Sequence, residues 1–161
     1  MKNNVLLLGG SGTLGKTLIN SKLIKNLKYP TSKVVNILRQ KTIKEYILKN
    51  NIKLIIHFAA LSKVKECEEN KKKAYNINVV GTANVVKAIK NTKNEVKLLF
   101  MSSDAVYPPL RGNHKETDKL KPYNFYGLTK LIGEQLVKLI KNHIIVRGRF
   151  FDKKKIFFKN S

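Results

Sequence analysis

Tyr126 and Lys130, four positions apart, are the residues of this sequence best suited to acid–base chemistry. They lie in a run, residues 126–140, whose apolar spacing predicts a helix. With about 3.6 residues per turn, positions i and i+4 share one face, so the phenol and the ammonium reach the same small volume. A fixed positive charge lowers the phenol pKa from about 10 toward neutrality, where a general acid is useful. The pair therefore predicts proton transfer, although in a lysine-rich chain it also arises by chance on a solvated face.

A glycine-rich stretch at residues 9–15 is the strongest motif upstream of this pair. It follows a short apolar run at residues 5–8, which predicts a buried strand, and leads into a helical pattern from Leu14. Its glycines fit both G-x-x-G-x-x-G and G-x-G-x-x-G. Between a strand and a helix, such glycines let the backbone approach a pyrophosphate, whose charge is met by helix N-terminal N–H groups. The stretch therefore predicts dinucleotide binding in preference to a plain tight turn.

Two more clusters of small or polar residues follow apolar runs that predict buried strands. The run 52–58 ends in His57-Phe58-Ala59-Ala60, and the run 96–101 is followed by Ser102-Ser103-Asp104. Helices are predicted at residues 42–50 and 71–90, the second interrupted near Asn78 and Gly81, and a last strand at residues 143–146. This alternation predicts an α/β fold with a Rossmann-like, doubly wound parallel sheet that binds ligands at the carboxyl ends of its strands. All three clusters fall at such ends.

The segment after the first helix is where the dinucleotide pattern is weakest. A second strand is expected about 20 residues after the glycine turn, ending in an acid that binds the adenosine ribose. Residues 34–38 are the best strand candidate, but Asn36 stands where the acid is expected, and residues 16–44 contain no carboxylate. Lys28, Lys33 and Arg39 lie in this segment instead. The pattern favours the 2′-phosphate of NADP over NAD, with a shortened or lost second strand as the alternative.

The length and composition of the chain predict one globular domain. A chain of 161 residues can bury one ordinary core but not two, and no apolar run is long enough to cross a membrane. The N-terminal apolar run is too short for a signal peptide and leads into glycines, so we expect a cytoplasmic protein. Cys67 is the single cysteine, and His57, His114 and His143 show no metal-ligand spacing, so neither a disulfide nor a metal site is expected.

The charge balance is strongly basic, with 33 Lys and Arg against 10 Asp and Glu and a formal net charge of +23. Such a charge can mark a nucleic-acid or other polyanion site. Here the lysines are dispersed, with short clusters only at residues 71–73 and 153–155, and no aromatic residues interleave with them. We therefore expect salt-sensitive, non-specific binding of polyanions but no specific nucleic-acid partner.

Taken together, the motifs resemble those of the extended short-chain dehydrogenase/reductase family, in the branch that holds sugar-nucleotide epimerases, dehydratases and dTDP-4-dehydrorhamnose reductases. In the family's order, the residues that carry the resemblance are Gly9-x-x-Gly12-x-x-Gly15, His57-x-Ala59-Ala60, Asn78-x-x-Gly81-Thr82, Ser102-Ser103-x-x-Val106-Tyr107 and Tyr126-x-x-x-Lys130. The run Ala59-Ala60-Leu61, with Cys67-Glu68 further along, is most similar to the rhamnose-reductase subgroup.

The resemblance implies a role for each matching residue. Tyr126 is the general acid, Lys130 lowers its pKa and binds the nicotinamide ribose, Ser103 holds the carbonyl oxygen, and Asp104 assists proton transfer or is only a cap or surface charge. Asn78 is expected to distort its helix near the site. Contacts with NAD or NADP are implied for Gly9, Ser11, Gly12, Thr13, Leu14, Gly15, Phe58, Ala59, Ala60, Asn78, Tyr126 and Lys130.

The activity implied by the resemblance is carbonyl reduction of a nucleotide sugar by an NAD(P)-dependent oxidoreductase. The alternatives are a sugar-nucleotide epimerase or dehydratase, and a non-catalytic nucleotide-binding module. Residues 1–150 are expected to form the NAD(P)-binding domain, with a basic, aromatic tail at 151–161 where family members continue into a substrate lobe, so we expect a truncated member. A homodimer through the Tyr126 helix is also implied.

Overall fold

Parallel strands and helices alternate along the chain. The structure, a computed structural model, describes residues 4–92, 94–109 and 112–149. The strands are β1 (Asn4–Leu8), β2 (Leu27–Lys28), β3 (Ile52–His57), β4 (Lys97–Ser103) and β5 (His143–Gly148). The helices are α1 (Thr13–Asn20), α2 (Gln40–Lys49), α3 (Val64–Glu69), α4 (Lys71–Tyr75), α5 (Gly81–Lys90) and α6 (Phe125–Val137). A π-helical turn, Asn76–Val80, joins α4 to α5, and a 3-10 turn, Asp104–Val106, follows β4.

The strands form one parallel sheet in the order β2-β1-β3-β4-β5. Side chains on α1 pack against one face, while α2, α5 and α6 cover the larger core on the other face. A strand that is buried on both faces needs apolar side chains at successive positions, which explains the continuous apolar runs of β1 and β3. The predicted α/β, Rossmann-like, doubly wound parallel sheet is confirmed.

The predicted second strand at residues 34–38 is wrong. The strand that pairs with β1 is β2, only two residues long and placed earlier in the chain. Residues 34–38 form turns instead, because the N–H groups of Val34 and Val35 both donate to Thr31 O, at 3.0 Å. Val35 is buried in the core. The apolar character of this stretch therefore predicted its burial correctly, but it did not predict the conformation of its backbone.

The helix predicted over residues 71–90 is confirmed as α4, the π-helical turn and α5 in succession. The interruption expected at Asn78 and Gly81 is the π-helical turn and its junction with α5. Thr82 Oγ1 donates to Asn78 O at 2.6 Å, within this distorted segment. A Cβ at Gly81 would lie 2.7 Å from Cδ1 of Ile37, so glycine allows the helix to pack closely there.

The helix that carries Tyr126 and Lys130 begins at Phe125, one residue before the predicted start, and ends at Val137, three before the predicted end. Asn124 is its N-cap, with Oδ1 accepting from Gly127 N at 2.7 Å. Glu68 Oε1 accepts from Phe125 N at 2.6 Å, so helix α3, which we did not predict, helps to fix the start of α6. The first turn of α6 is therefore held by two side chains from outside it.

No helix among the described residues is long and apolar enough to span a membrane. The predicted tail at 151–161 lies outside the described residues.

We expect Gly133→Ala to destabilise the fold, although alanine is the better helix former. A Cβ at position 133 would lie 2.7 Å from Cζ of Phe100, a fully buried ring. Overpacking costs about 1–3 kcal/mol, against a gain in helix propensity of about 1 kcal/mol. The urea midpoint should fall by the equivalent of about 1 kcal/mol. Gln135→Ala, at an exposed position of α6, is the control and should change stability by less than about 0.5 kcal/mol. A raised midpoint for Gly133→Ala would contradict this packing.

Candidate active site

A cavity of about 890 Å³ opens at the carboxyl ends of the strands, where the fold places ligands. The predicted site residues that line it are Gly9, Gly12, Thr13, Leu14, Gly15, Phe58, Ala60, Ser103, Asp104, Tyr126 and Lys130. Ser11, Ala59 and Asn78 do not contribute to its lining. The fold thus brings the glycine turn, the end of β3 and the Tyr126 helix around one volume.

Three glycines of the turn have different structural roles. Gly9 has a φ of +94°, and a Cβ there would lie 2.5 Å from the backbone N of Ala59. A Cβ at Gly15 would lie 2.3 Å from Gly9 O. Gly12, in contrast, has an ordinary φ of −74°, and its Cβ would meet only Gly9 O at 3.5 Å. Packing therefore demands glycine at 9 and 15, whereas at 12 the chain itself would accept a side chain.

The N-terminus of α1 fits the pyrophosphate of a dinucleotide. Gly12 is the N-cap of α1, no side chain caps the helix, and Gly12, Thr13 and Leu14 line the cavity. Uncapped N–H groups at a helix N-terminus are suited to bind an anion. A Cβ on Gly12 would meet only Gly9 O, at 3.5 Å, so the backbone there has free space that could accept a phosphate group.

Tyr126 is mostly buried beside the end of β4, close enough to the Ser103 hydroxyl for that group to lower the pKa of the phenol in part. Ser103 Oγ donates to Asp104 Oδ1 at 3.1 Å and accepts from Ala105 N at 3.2 Å. Asp104 also lies 3.5 Å from Nε of Arg149, at the cavity. The Ser103 hydroxyl and the partly exposed Asp104 carboxylate are thus hydrogen-bonded to each other in the cavity lining, which Tyr126 shares. Ser103 caps the 3-10 turn as well, so it combines a structural contact with its place in the site.

The pKa of Tyr126 differs from the expectation that Lys130 would lower it. Burial raises the pKa of the phenol above its usual value, and the contact with Ser103 only partly opposes this effect. Burial lowers the pKa of Lys130 to about 7, so Lys130 is already neutral in the higher pH range where the phenol ionises and does not lower the phenol pKa. Its Nζ lies 4.0 Å from the centroid of the Phe100 ring, and Glu134 raises its pKa in part. At neutral pH the phenol is consequently fully protonated.

His57 is buried at the end of β3 behind Lys130. Because the Thr82 hydroxyl donates to Asn78 O, it accepts from Nε2 of His57, 3.2 Å away, which leaves Nδ1 unprotonated. Nδ1 has no hydrogen-bond partner among the described residues. Burial, and secondarily the charge of Lys130, lowers the pKa of His57 to about 3. The imidazole is therefore neutral at physiological pH and holds the strand end to α5.

Asn78 joins the segment that follows β3 to the Tyr126 helix. Its Oδ1 accepts from Leu61 N at 2.8 Å, and its Nδ2 donates to Leu61 O at 3.0 Å and to Thr129 Oγ1 at 2.9 Å. All the polar atoms of its buried side chain are therefore engaged within the protein. The structure places Asn78 behind the cavity rather than in its lining.

A buried ion pair between Glu134 and Arg147 lies beneath the site. Arg147 donates from Nε to Oε1 at 2.9 Å and from Nη2 to Oε2 at 2.8 Å, and Ser102 Oγ donates to Oε1 at 2.5 Å. Sequence analysis missed Glu134 as a site residue. The available signal was its place one turn after Lys130, where a charged side chain falls on the buried face of α6.

A loop after β4 completes one wall of the cavity. Tyr107 stacks on His114 with ring centroids 4.5 Å apart, and both line the cavity. The Tyr107 hydroxyl donates to Lys115 O at 3.0 Å and accepts from Nη1 of Arg147 at 2.8 Å. The same Nη1 donates to Glu116 O at 3.0 Å, so Arg147 ties this loop to Glu134. Arginine is suited to this role because its planar group carries several donors.

With this geometry established, comparison with known proteins identifies the family. The family described as the RmlD substrate binding domain matches residues 1–156. The chain belongs to this family.

Its relatives include enzymes of nucleotide-sugar metabolism. Over 150 residues the chain is 30% identical to the spore coat polysaccharide biosynthesis protein SpsK of Bacillus subtilis, covering 89% of this chain and 51% of the relative. A dTDP-4-dehydrorhamnose reductase from Bacillus anthracis, solved in complex with NADP, superposes with a TM-score of 0.84 at 31% identity, over 91% of this chain and 53% of that one. A UDP-glucose 4-epimerase from Brucella ovis, solved with NAD, gives 0.76 at 28% identity, over 90% and 51%. The chain spans about half the length of these relatives.

We predict that mild acid weakens the fold through His57. Its pKa is about 3 in the folded chain against a reference value of 6.5, so below pH 6.5 the unfolded chain binds a proton that the folded chain does not. The stability contributed by the neutral ring is present above pH 6.5 and is lost as the pH falls toward 3. Between about pH 7 and pH 5 this one group accounts for about 2 kcal/mol.

Urea unfolding at these two pH values checks this effect. The wild-type midpoint should fall between them by more than that of His57→Gln, whose side chain does not titrate. Even if the variant is less stable at both pH values, the change in its midpoint between them gives the effect of all the other titrating groups. Subtracting that change from the wild-type change leaves the contribution of His57. Equal falls in the two proteins would contradict the assignment.

Proposed function

We propose that the chain is the cofactor-binding and catalytic part of an NAD(P)-dependent oxidoreductase that reduces a carbonyl group of a nucleotide sugar. The observation that carries the proposal is that Ser103, Tyr126 and Lys130 line the same cavity as the uncapped N-terminus of α1. In this proposal the proton donor and the dinucleotide would therefore be adjacent, as carbonyl reduction requires. The reductase of Bacillus anthracis, with its bound NADP, supports this proposal.

The residues that would hold the cofactor extend along the strand ends. Gly12, Thr13 and Leu14 would bind the pyrophosphate, while Phe58, Ala60 and Lys130 would surround the ribose and nicotinamide. A reduced nicotinamide, when bound, supplies the hydride. Of the two nucleotides we propose NADP, because β2 ends in Lys28 and no carboxylate lies between residues 16 and 44 to accept a ribose 2′-hydroxyl.

Tyr126 is the proton donor in this proposal. Its raised pKa keeps the phenol protonated at neutral pH, ready to donate to a substrate carbonyl oxygen. Ser103 would hold that oxygen close to the phenol. The ammonium of Lys130 would stabilise the phenolate left behind, and Asp104, hydrogen-bonded to Ser103, would assist the return of a proton.

Epimerisation of a nucleotide sugar is the second candidate. The UDP-glucose 4-epimerase of Brucella ovis, solved with NAD, resembles this chain almost as closely as the reductase does in sequence identity. The same Tyr126 would then act as a base before it acts as an acid, and no net consumption of cofactor would result. Net oxidation of NADPH therefore distinguishes the two reactions. Dehydration of a nucleotide sugar, in which Asp104 would act on the sugar, is the third candidate reaction.

A second copy of the chain is the protein partner that we propose. Tyr75, Val80 and Leu128 are apolar or aromatic side chains with more than a third of their surface exposed. They lie on α4, the π-helical turn and α6, which pack together. Exposed apolar side chains on neighbouring elements are typical of association surfaces, so these helices are the most suitable dimer contact.

Gly12→Val should remove cofactor binding without unfolding the chain. The backbone at residue 12 accepts a Cβ, so a loss of binding would report on the ligand rather than on the fold. We expect saturable NADPH binding by the wild-type chain, followed by nicotinamide fluorescence, and at least about tenfold weaker binding by the variant. Asn20→Val, at the other end of α1, is the control and should bind normally. Equal affinity in all three proteins would sink the pyrophosphate assignment.

Tyr126→Phe should abolish carbonyl reduction while leaving NADPH affinity nearly unchanged. Removing one hydroxyl removes the proton donor but little of the cofactor site, so a loss of about 100- to 10,000-fold in kcat is expected. Turnover is measured with dTDP-4-dehydrorhamnose and NADPH. Full activity in the variant would refute the proposed mechanism. Saturable cofactor binding by the wild-type chain without turnover would instead favour the non-catalytic nucleotide-binding module.

A further inference from the structure

Arg147, on β5, makes more contacts than its ion pair with Glu134 requires. Two of its nitrogens, Nε and Nη2, donate to the carboxylate of Glu134. The third, Nη1, donates to the Tyr107 hydroxyl at 2.8 Å and to Glu116 O at 3.0 Å. A lysine in this position can pair with Glu134, but its single nitrogen cannot form these four bonds at once. The requirement for an arginine therefore comes from Tyr107 and Glu116.

Tyr107 and His114, with the backbone of Lys115 and Glu116, form a connected unit that we call the ring wall. The two rings stack with an angle of 8° between their planes, and both line the cavity. The Tyr107 hydroxyl donates to Lys115 O at 3.0 Å, and Nδ1 of His114 lies 3.2 Å from Asp118 Oδ2. Since Arg147 contacts both Tyr107 and Glu116, it joins this unit directly to the sheet.

The ring wall stands on the side of the cavity away from the glycine turn. In the strand order β2-β1-β3-β4-β5, the glycine turn follows β1 and residues 58–60 follow β3, whereas Ser103 ends β4 and Tyr107 comes soon after it. The inference rests on the proposed function, which assigns the ends of β1 and β3 to the dinucleotide. The part of the cavity beyond Ser103, at the ends of β4 and β5, is then the space for the nucleotide sugar.

We propose that Arg147 is a positioning residue that holds Tyr107 and His114 as the wall against which the nucleotide sugar binds. Its side chain is only 15% exposed and does not line the cavity, so it acts through the ring wall rather than on the ligand. A wall that is already fixed when the ligand arrives loses little conformational freedom on binding, and this favours affinity.

NMR spectra of the full chain test the proposal through the ring protons of His114. The chain contains three histidines, and His114 is identified by the signals lost in His114→Gln. Addition of dTDP-4-dehydrorhamnose or of UDP-glucose, without NADPH, should shift the His114 signals of the wild type in a saturable way. If neither nucleotide sugar moves these signals, the proposal is overturned.

Arg147→Lys is the principal variant, since it keeps the positive charge beside Glu134 but not the fork of donors. Without ligand, its His114 signals should move toward those of Tyr107→Leu, in which the stacked ring is missing. Its affinity for the nucleotide sugar should fall at least about tenfold, the size expected for about one hydrogen bond to a charged group, while its NADPH affinity stays near that of the wild type. Lys141→Gln, at an exposed position shortly before β5, is the control and should leave the signals and both affinities unchanged.

A merely structural role for Arg147 gives a different result. Unchanged His114 signals and nucleotide-sugar affinity in a folded Arg147→Lys variant would overturn the proposal. An equal loss of affinity for NADPH and for the nucleotide sugar would overturn it as well, because such a loss reports general damage to the fold.

Tyr107→Phe keeps the test decisive if circular dichroism shows that Arg147→Lys does not fold. It retains the ring but removes the hydroxyl between Arg147 and Lys115 O, so nucleotide-sugar binding should again weaken, and unchanged binding would contradict the proposal. Where both variants fold, the double variant should bind no more weakly than Arg147→Lys alone, because the two changes break the same contact. Fully additive losses would show that Arg147 does not act through Tyr107.

NADPH titration of the same samples separates this inference from the proposed function. If the nucleotide sugar shifts the His114 signals and the variants behave as expected, but no protein binds NADPH, the role of Arg147 stands and the proposed function fails. If NADPH binds but neither nucleotide sugar moves the His114 signals, the reverse holds.

Discussion

The burial of the Lys130 ammonium is the constraint on which the site depends. Only 3% of the residue is exposed, so water cannot compensate its charge, and the protein around it must do so. The Phe100 ring lies over it, and Glu134 provides a carboxylate one turn along the helix. The same desolvation keeps His57 neutral and weakens the effect of Lys130 on Tyr126. The pKa values of the side chains in this site are therefore set more by burial than by the proximity of two side chains.

Distant parts of the chain are held against this buried charge by a few polar side chains. Asn78, in the distorted part of its helix, reaches both Leu61 and Thr129 and so joins the segment that follows β3 to α6. Glu134 and Arg147 do the same for β4, β5 and the loop that follows Tyr107. Each bond is modest alone, but buried networks of satisfied groups fix one arrangement of the elements around the cavity.

The glycine turn contributes to the cavity in a different way, because there the backbone forms the lining. Gly9 and Gly15 are required by close approach of the chain to itself, whereas Gly12 has free space where a Cβ would stand. The glycines of one motif are thus present for two different reasons. Only the positions of neighbouring atoms distinguish them, which explains why the sequence pattern predicts the turn but not the separate role of each glycine.

The sequence by itself determined the alternation of strands and helices, the glycine turn and the placing of Tyr126 and Lys130 on one helix, since these depend on local periodicity and spacing. It placed the second strand wrongly at residues 34–38, because an apolar stretch can pack as a turn as well as a strand. The tertiary structure decided the rest. Contacts between residues far apart in the chain, such as Glu134 with Arg147, and the pKa values that burial imposes, depend on which groups exclude water from one another, and that is settled only when the elements pack.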